Sequence, residues 1–334
     1  MAVSSRSYLS PVSAINAAVI GCGRIAWMLE TDPLRYKPCT HLGALVRWQK
    51  KRALQVTALC DSDFIRAKDA AHFFHLKNSF LTNNYKEIIL QKPNLLVIAA
   101  STAAHSTILS AALDARIERI VVEKPVAFSA KEARLLRKKI TKSKSIVLAN
   151  YERRYHPKYI ALQKETEDAI SYRGVFAASG HMLYPHKKSG DEGVLLHDTT
   201  HLLDLAQFYF GRVCRYKKIA EKNRHVLYLE HASGVHGVIE TALNVGVFHL
   251  ELELHTKQKR IRVGNGFLTM QEIQTSPHYK NFKSYAKDIY KEDKPFSVAQ
   301  NPFIKLYETL LEGRATNDSI FDALQNVEIL GEMI

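Results

Sequence analysis

Three groups of residues in this chain have types and spacings suited to chemistry. The first is Gly21-Cys22-Gly23-Arg24-Ile25-Ala26, which follows the small and apolar residues Ala17–Ile20. This reads as a buried strand, a tight turn and the start of a helix. Gly21 permits the turn, because it takes backbone angles that a Cβ forbids. Gly23 leaves room for a pyrophosphate beside the backbone, and Ala26 lets the helix lie close to the strand. The helix N-terminus then offers free N–H groups and a positive dipole end to phosphates. A Gly-x-Gly turn alone often binds nothing, so this reading depends on its company.

The second group is Glu123-Lys124-Pro125, at the tip of the apolar run Ile117–Val122. Pro125 fixes the backbone direction and removes a donor. A lysine held there can donate to a substrate hydroxyl or shift the proton affinity of a neighbouring acid–base group. The competing reading is a surface lysine before a turn. The third group lies in Gly193–Leu205, GVLLHDTTHLLDL. On a helix His197 and His201 share a face, and Asp198 and His201 are neighbours. A histidine passes protons near neutral pH, and a carboxylate can orient it. A zinc pair is the alternative, but no Glu lies between the histidines as in HExxH. Core polar residues are another, and Asp204 has the bland role of a cap or ion pair.

The elements that must position these groups follow from periodicity. Ile15–Ile20 and Leu54–Cys60 read as strands, the second ending at Asp61. A carboxylate at that tip suits the diol of an adenosine ribose and disfavours a 2′-phosphate, although Arg66 stands close by. Asp61 lies further from the glycines than the usual 20 or so residues. The polar, two-proline stretch Glu30–Thr40 accounts for the excess as a loop inserted at the first helix. The alternative for Asp61 is an N-cap of the helix Phe64–Phe74. Ser79–Leu81, Leu95–Ala100, Ile117–Val122 and Ser145–Asn150 continue the strands, with helices between them. That alternation implies a parallel sheet with helices on both faces. Right-handed connections then bring Gly21, Asp61, Ser101 and Glu123 to one edge.

From about Tyr151 the rhythm changes. Pro157–Asp168 and Gly193–Phe210 read as helices and Gly174–Leu183 as a strand. Short alternating runs follow at Val213–Ala220, Val226–Ala232, Val235–Asn244, Phe248–His255, Arg260–Val263 and Phe267–Ile273. Strands without helices between them imply a mostly antiparallel sheet, open on one face. Val235, Ile239, Leu250, Leu252 and Leu254 then belong either to the core or to an interface. Pro302–Arg314 and Ser319–Ile334 are helical again. The fold class is therefore α/β: a dinucleotide-binding domain over residues 1–150, with 1–13 as a flexible arm, then an α+β domain over 151–334 on an open, mostly antiparallel sheet.

Composition sets bounds. The 334 residues are 46% hydrophobic and carry a net charge of +14. No apolar run approaches the roughly 18 residues of a membrane span, so no membrane partner is expected. Cys22, Cys39, Cys60 and Cys214 form no CxxC or metal-like cluster, and they read as reduced thiols in a cytoplasmic protein. The basic residues are spread, densest over Lys131–Lys144 on the outer face of an amphipathic helix. No nucleic-acid motif accompanies them, so nucleic acid is not an expected partner. The charge suits a solvated surface or an anionic small molecule.

These pieces come in a familiar order. The Gly21–Ala26 fingerprint, the Asp61 tip, the Thr102…His105 segment, Glu123-Lys124-Pro125 and the HLLDL helix together resemble the glucose–fructose oxidoreductase / inositol dehydrogenase (Gfo/Idh/MocA) family. Asn150–Lys158, NYERRYHPK, resembles that family's crossing into the second domain. The resemblance implies an N-terminal Rossmann domain and an NAD-dependent oxidoreductase, NADP being the lesser choice, acting on a sugar, polyol or nucleotide sugar. It implies that Lys124 assists catalysis and that His201 is the acid–base histidine. The family's Asp stands four residues before that histidine. Here His197 holds that place and Asp198 the next, so either residue, or neither, fills the role. Cofactor contacts implied are Gly21, Gly23, Arg24, Ile25, Asp61, Ser101, Thr102, His105, Glu123 and Lys124. Substrate contacts are expected at His201, Arg154 and Tyr184, with His186 beside it. In the inserted loop Arg35, Lys37 or His41 is expected to reach substrate or phosphates. A homodimer or homotetramer through the second sheet is also implied. The alternative class is a non-catalytic dinucleotide- or sugar-binding regulator with the same fold.

Overall fold

A computed structural model describes residues 15–51, 54–178, 195–292 and 301–331. The expected arm over 1–13 lies outside these residues. Six parallel strands form the first sheet: β1 (Ile15–Ile20), β2 (Leu54–Cys60), β3 (Phe80–Thr82), β4 (Leu95–Ile98), β5 (Arg119–Glu123) and β6 (Ile146–Asn150), in the order β3-β2-β1-β4-β5-β6. All four residues of β4 are buried, as a strand covered on both faces requires. The helices between the strands are α1 (His41–Lys50), α2 (Phe64–Phe73), α3 (Tyr85–Leu90), α4 (Thr102–Asp114) and α5 (Ala130–Lys142). The strand order reverses between β1 and β4, and their C-terminal ends open a crevice there.

The first helix differs from the simple strand–turn–helix expectation. After Gly23 the chain makes one helical turn and a short 3₁₀ segment at Met28–Thr31, then runs as loop to Thr40. It then resumes where it left off. The His41 and Leu42 amides donate to the carbonyls of Ile25 and Ala26 at 3.2 and 2.9 Å. The insertion is thus a loop extruded from a helix whose hydrogen bonds close across its base. Glu30 anchors the loop, accepting from the Cys39 amide and the Thr40 hydroxyl at 2.7 and 2.9 Å.

The second sheet has eight strands: β7 (Ala169–Ala178), β8 (Val213–Glu221), β9 (Arg224–His231), β10 (His236–Leu243), β11 (His249–Thr256), β12 (Lys259–Gly264), β13 (Phe267–Thr275) and β14 (Lys283–Glu292). Among the described residues only the β7–β10 pair of this sheet is parallel. The charged sequence of β14, KSYAKDIYKE, hides this strand from periodicity, and backbone pairing with β13 makes it. Burial alternates residue by residue along β10 and β11. Ile239, Leu250, Leu252 and Leu254 face inward with Val235 at the adjoining turn, all within one core cluster that also holds Leu202 and Leu205. They are core, not interface. The open face instead carries ion pairs, Arg262–Glu251 at 2.8 Å, Arg260–Glu253 at 2.6 Å and Arg224–Glu240 at 2.9 Å.

Three helices join the sheets: α7 (Thr200–Phe210), α8 (Pro302–Leu311) and α9 (Asp318–Leu330), while α6 (Pro157–Glu165) follows the crossing after β6. The edge strand β6 is covered by the start of α9: the Val147 amide donates to Asn317 Oδ1 at 2.7 Å and the Ala149 amide to Ser319 Oγ at 3.2 Å. An edge strand's unpaired amides are satisfied this way without a further strand.

Arg154, expected at the substrate, lies in this joint instead. Its Nε reaches both oxygens of Asp204 at 2.8 Å and its Nη2 reaches Asp322 at 2.5 Å, with Phe208 against the guanidinium. Burial pushes the Asp204 carboxyl up to about 7 against the attraction of Arg154. Removing the arginine leaves two carboxylates in the joint without their cation. Arg154→Met should therefore destabilise the chain by about 3–5 kcal/mol. Adding Asp204→Leu should recover part of the loss, as urea denaturation will read.

Candidate active site

The glycine turn is built by close approach. Gly21 has φ +94°, and a Cβ there would sit 2.3 Å from the Ala100 nitrogen. Its amide donates to the Cys60 carbonyl at 2.7 Å. A Cβ on Gly23 would meet nothing within 4 Å, so space is open where a pyrophosphate would lie. The Cys22 amide donates to Asp61 Oδ2 at 2.7 Å, and the Asp63 amide to Oδ1 at 2.9 Å. Asp61 therefore braces the turn at the tip of β2. Asp63, not Asp61, caps α2. Arg24 is exposed and Ile25 half-buried on the same turn. Ser101 is exposed at the N-terminus of α4, its side chain makes no capping bond, and Thr102 follows half-buried. An open helix N-terminus beside an unfilled glycine turn fits a dinucleotide diphosphate.

Two residues expected at the cofactor point elsewhere. His105 is buried, with Nδ1 2.8 Å from the Pro125 carbonyl and Nε2 2.9 Å from that of Ala100, so it ties the β4 and β5 loops together. Glu123 is buried beneath α1 and α8. The loop residues separate too. His41 is fully buried and bonded to Glu123 and Tyr307. Lys37 spends its ammonium on the carbonyls of Leu29 and Asp32 at 3.1 and 2.7 Å. Of the three only Arg35 lines the cleft.

Lys124 leaves β5 toward the second sheet. Its Nζ donates to the His197 carbonyl at 2.6 Å and stands 4.0 Å from Asp198 Oδ1. Residues Leu195–Thr199 form a π-helical turn that runs straight into α7. Such turns shift side-chain register and recur at functional sites. Asp198 and His201, three residues apart, both line a cleft of about 350 Å³ whose other walls include Arg35, Arg153, Phe176 and Asn265. His197 meets Lys124 through its main chain, and its ring is not among the cleft walls. A larger cavity of about 800 Å³ lies by α9, but its buried Arg154 and Asp322 are already paired with each other.

His201 is the titratable centre of the cleft. Its ring stands edge-on to Tyr151 at 5.6 Å, and its buried Nδ1 has no hydrogen-bond partner among the described residues. Burial, then the charges of Lys124, Arg153 and His197, holds the imidazole well below its ordinary range. The ring is therefore neutral at pH 7.

Arg153 is the cleft-lining arginine that sequence reading missed, because the 3₁₀ turn Glu152–Tyr155 decides which of two adjacent arginines is buried. Its Nη2 donates to Asn265 Oδ1 at 2.8 Å. Tyr184 and His186 lie outside the described residues.

The oxidoreductase family with an NAD-binding Rossmann fold, Gfo/Idh/MocA, matches residues 15–151. Over that segment the chain is similar to this family. Solved structures extend the likeness of fold to the whole chain. Levoglucosan dehydrogenase in complex with NADH and levoglucosan is 16% identical, with 96% of each chain covered and a TM-score of 0.74. The dehydrogenase MviM from Clostridium difficile is 13% identical, covering 96% of this chain and 98% of its own, at 0.70. An Agrobacterium radiobacter oxidoreductase in complex with NAD+, L-tartaric acid and magnesium is 17% identical, covering 96% and 95%, at 0.68. No curated protein sequence matches the chain. Residues 15–151 thus match a family with an NAD-binding Rossmann fold, and the whole chain shares the fold of these dehydrogenases.

The neutral His201 has a consequence for stability. In the unfolded chain it gains a proton near pH 6.5, but in the folded chain it does not. Stability must therefore fall as pH drops through that range. In urea titrations at pH 7, 6 and 5, His201→Gln should lose less than the parent by up to about 1.4 kcal/mol per pH unit.

Proposed function

We propose that this chain is an NAD-dependent dehydrogenase or reductase acting on a hydroxyl- or keto-bearing carbon of a sugar, polyol or nucleotide sugar. The carrying observation is that Asp198 and His201 line one cleft and that Lys124, from the tip of β5, reaches to 4.0 Å from Asp198. Bound NAD supplies the hydride acceptor. The neutral His201 imidazole takes the hydroxyl proton. The Lys124 ammonium donates to the same substrate oxygen, and Asp198 keeps it aimed. Phe176 and Phe248 offer an apolar wall to the C–H face of a ring, with Arg153 and Asn265 opposite for hydroxyls. Levoglucosan dehydrogenase, with its anhydrosugar, supports a ring substrate by likeness of fold.

NAD rather than NADP follows from the Asp61 carboxylate at the β2 tip, since Arg66 is engaged with Asp63 at 3.5 Å. A homodimer or homotetramer through the ion-paired face of the second sheet, a division into domains near residue 150 and a cytoplasmic setting complete the reading.

Calorimetry should show NADH binding at least about tenfold tighter than NADPH, and Asp61→Ser should erase the difference. On a sugar and polyol panel, Lys124→Ala should lower kcat by about 100-fold or more while NADH affinity holds. Tight NADH binding with no turnover on any substrate would favour the regulator instead. Arg35→Ala should raise the sugar KM severalfold with kcat unchanged, and identical kinetics would remove Arg35 from the site.

A further inference from the structure

Behind the lysine, on the far face of β5, the chain buries a second set of titratable groups. Strand side chains alternate between faces. Ile120 and Val122 pack into the core shared with α5 and the second sheet, while Val121 packs with α1 and α8. Glu123 follows Val121 onto that side. There its Oε1 accepts from His41 Nε2 at 2.8 Å and from Asn150 Nδ2 at 2.6 Å. His41 Nδ1 meets the Tyr307 hydroxyl at 2.7 Å, and Phe303 stands edge-on to the imidazole at 5.2 Å. His41 and Tyr307 have no exposure at all. A carboxylate among apolar side chains is costly to bury and gives little net stability even when paired. Packing alone does not call for one here.

We infer that His41 and Glu123 are a positioning pair for Lys124: the imidazole pins the carboxylate of the residue that precedes the lysine, and Tyr307 of α8 locks the imidazole. Burial raises the Glu123 carboxyl, but the His41 and Asn150 hydrogen bonds and the Lys124 charge more than reverse this, so it stays below its ordinary value. The groups that face Lys124 are then Glu123 behind it, the His197 carbonyl and Asp198 ahead of it, and His201 in the cleft. Those that face Glu123 are His41, Asn150, Tyr307 and Lys124. The same pair ties the inserted loop to the site. His41 ends that loop, and Asn301, which caps α8, donates to the Pro38 carbonyl at 2.6 Å. The loop that carries Arg35 to the cleft and the helix that locks His41 are one assembly.

The pair's kinetic consequence rests on the catalytic reading of Lys124, so the first readout is independent of turnover. Full-length protein without dinucleotide is treated with trace acetic anhydride at fixed pH, and labelling of Lys124 is followed by mass spectrometry. Glu123→Gln removes the charge and keeps the shape. Lys124 should then be acetylated about threefold faster or more, because its ammonium has lost one of the carboxylates near it, Asp198 remaining at 4.0 Å. His41→Leu should do the same, whereas His41→Gln, whose amide can still donate to Glu123, should stay near the parent. With a substrate in hand, Glu123→Gln and His41→Leu should lower kcat about tenfold while the sugar KM stays within about twofold. If Glu123→Gln does not fold, Tyr307→Phe carries the test, with faster acetylation expected. Acetylation at the parent rate in folded Glu123→Gln, or in Tyr307→Phe where that variant replaces it, overturns the pair. Absence of turnover in the parent overturns the dehydrogenase reading instead and leaves the acetylation result standing.

Discussion

A side chain at residue 21 would collide with the backbone at the end of β4, because the turn after β1 passes within van der Waals contact of Ala99 and Ala100. That close approach creates the crevice on which the rest of the molecule depends. It brings the tips of β1, β2 and β4 together, and the Asp61 carboxylate holds the arrangement by accepting the Cys22 amide. Open space above Gly23 and an uncapped α4 follow from the same geometry. Parallel strands with right-handed connections then place the end of β5, and so Lys124, on the same edge.

The insertion between Met28 and Thr40 shows how a fold takes up extra chain without losing this edge. The helix it interrupts re-forms its hydrogen bonds across the base of the loop, so the crevice keeps its shape. Loop closure costs only slowly more with length, and the anchors at Glu30, Pro38 and His41 fix the ends. What the insertion adds is a guanidinium at the cleft, that of Arg35.

Buried charge recurs in this chain with two different roles. At the joint of α7 and α9, Arg154 gathers Asp204 and Asp322, and the interaction is architectural: it joins the second sheet's helix to the helix that covers β6. At the tip of β5, His41 pins the carboxylate of Glu123, the residue before Lys124. Neither site is a cheap source of stability. Both fix orientation between elements far apart in sequence, where apolar packing alone permits sliding.

By itself the sequence determined the alternation of strands and helices, the glycine turn, the Asp61 tip and the lysine before Pro125. These are local matters of periodicity, turn chemistry and strand ends. It also carried the family resemblance that residues 15–151 bear out. Tertiary structure alone decided which of Arg153 and Arg154 faces the cleft, since one 3₁₀ turn rotates adjacent side chains to opposite sides. It made a strand of the charged segment Lys283–Glu292 through pairing with β13. It turned His41, His105 and Glu123 inward, because their partners, Tyr307, Pro125 and Asn150, come from elements 20 to 266 residues away. A polar side chain is read as a ligand or as a brace according to what the fold sets beside it, and local pattern holds no record of that neighbour.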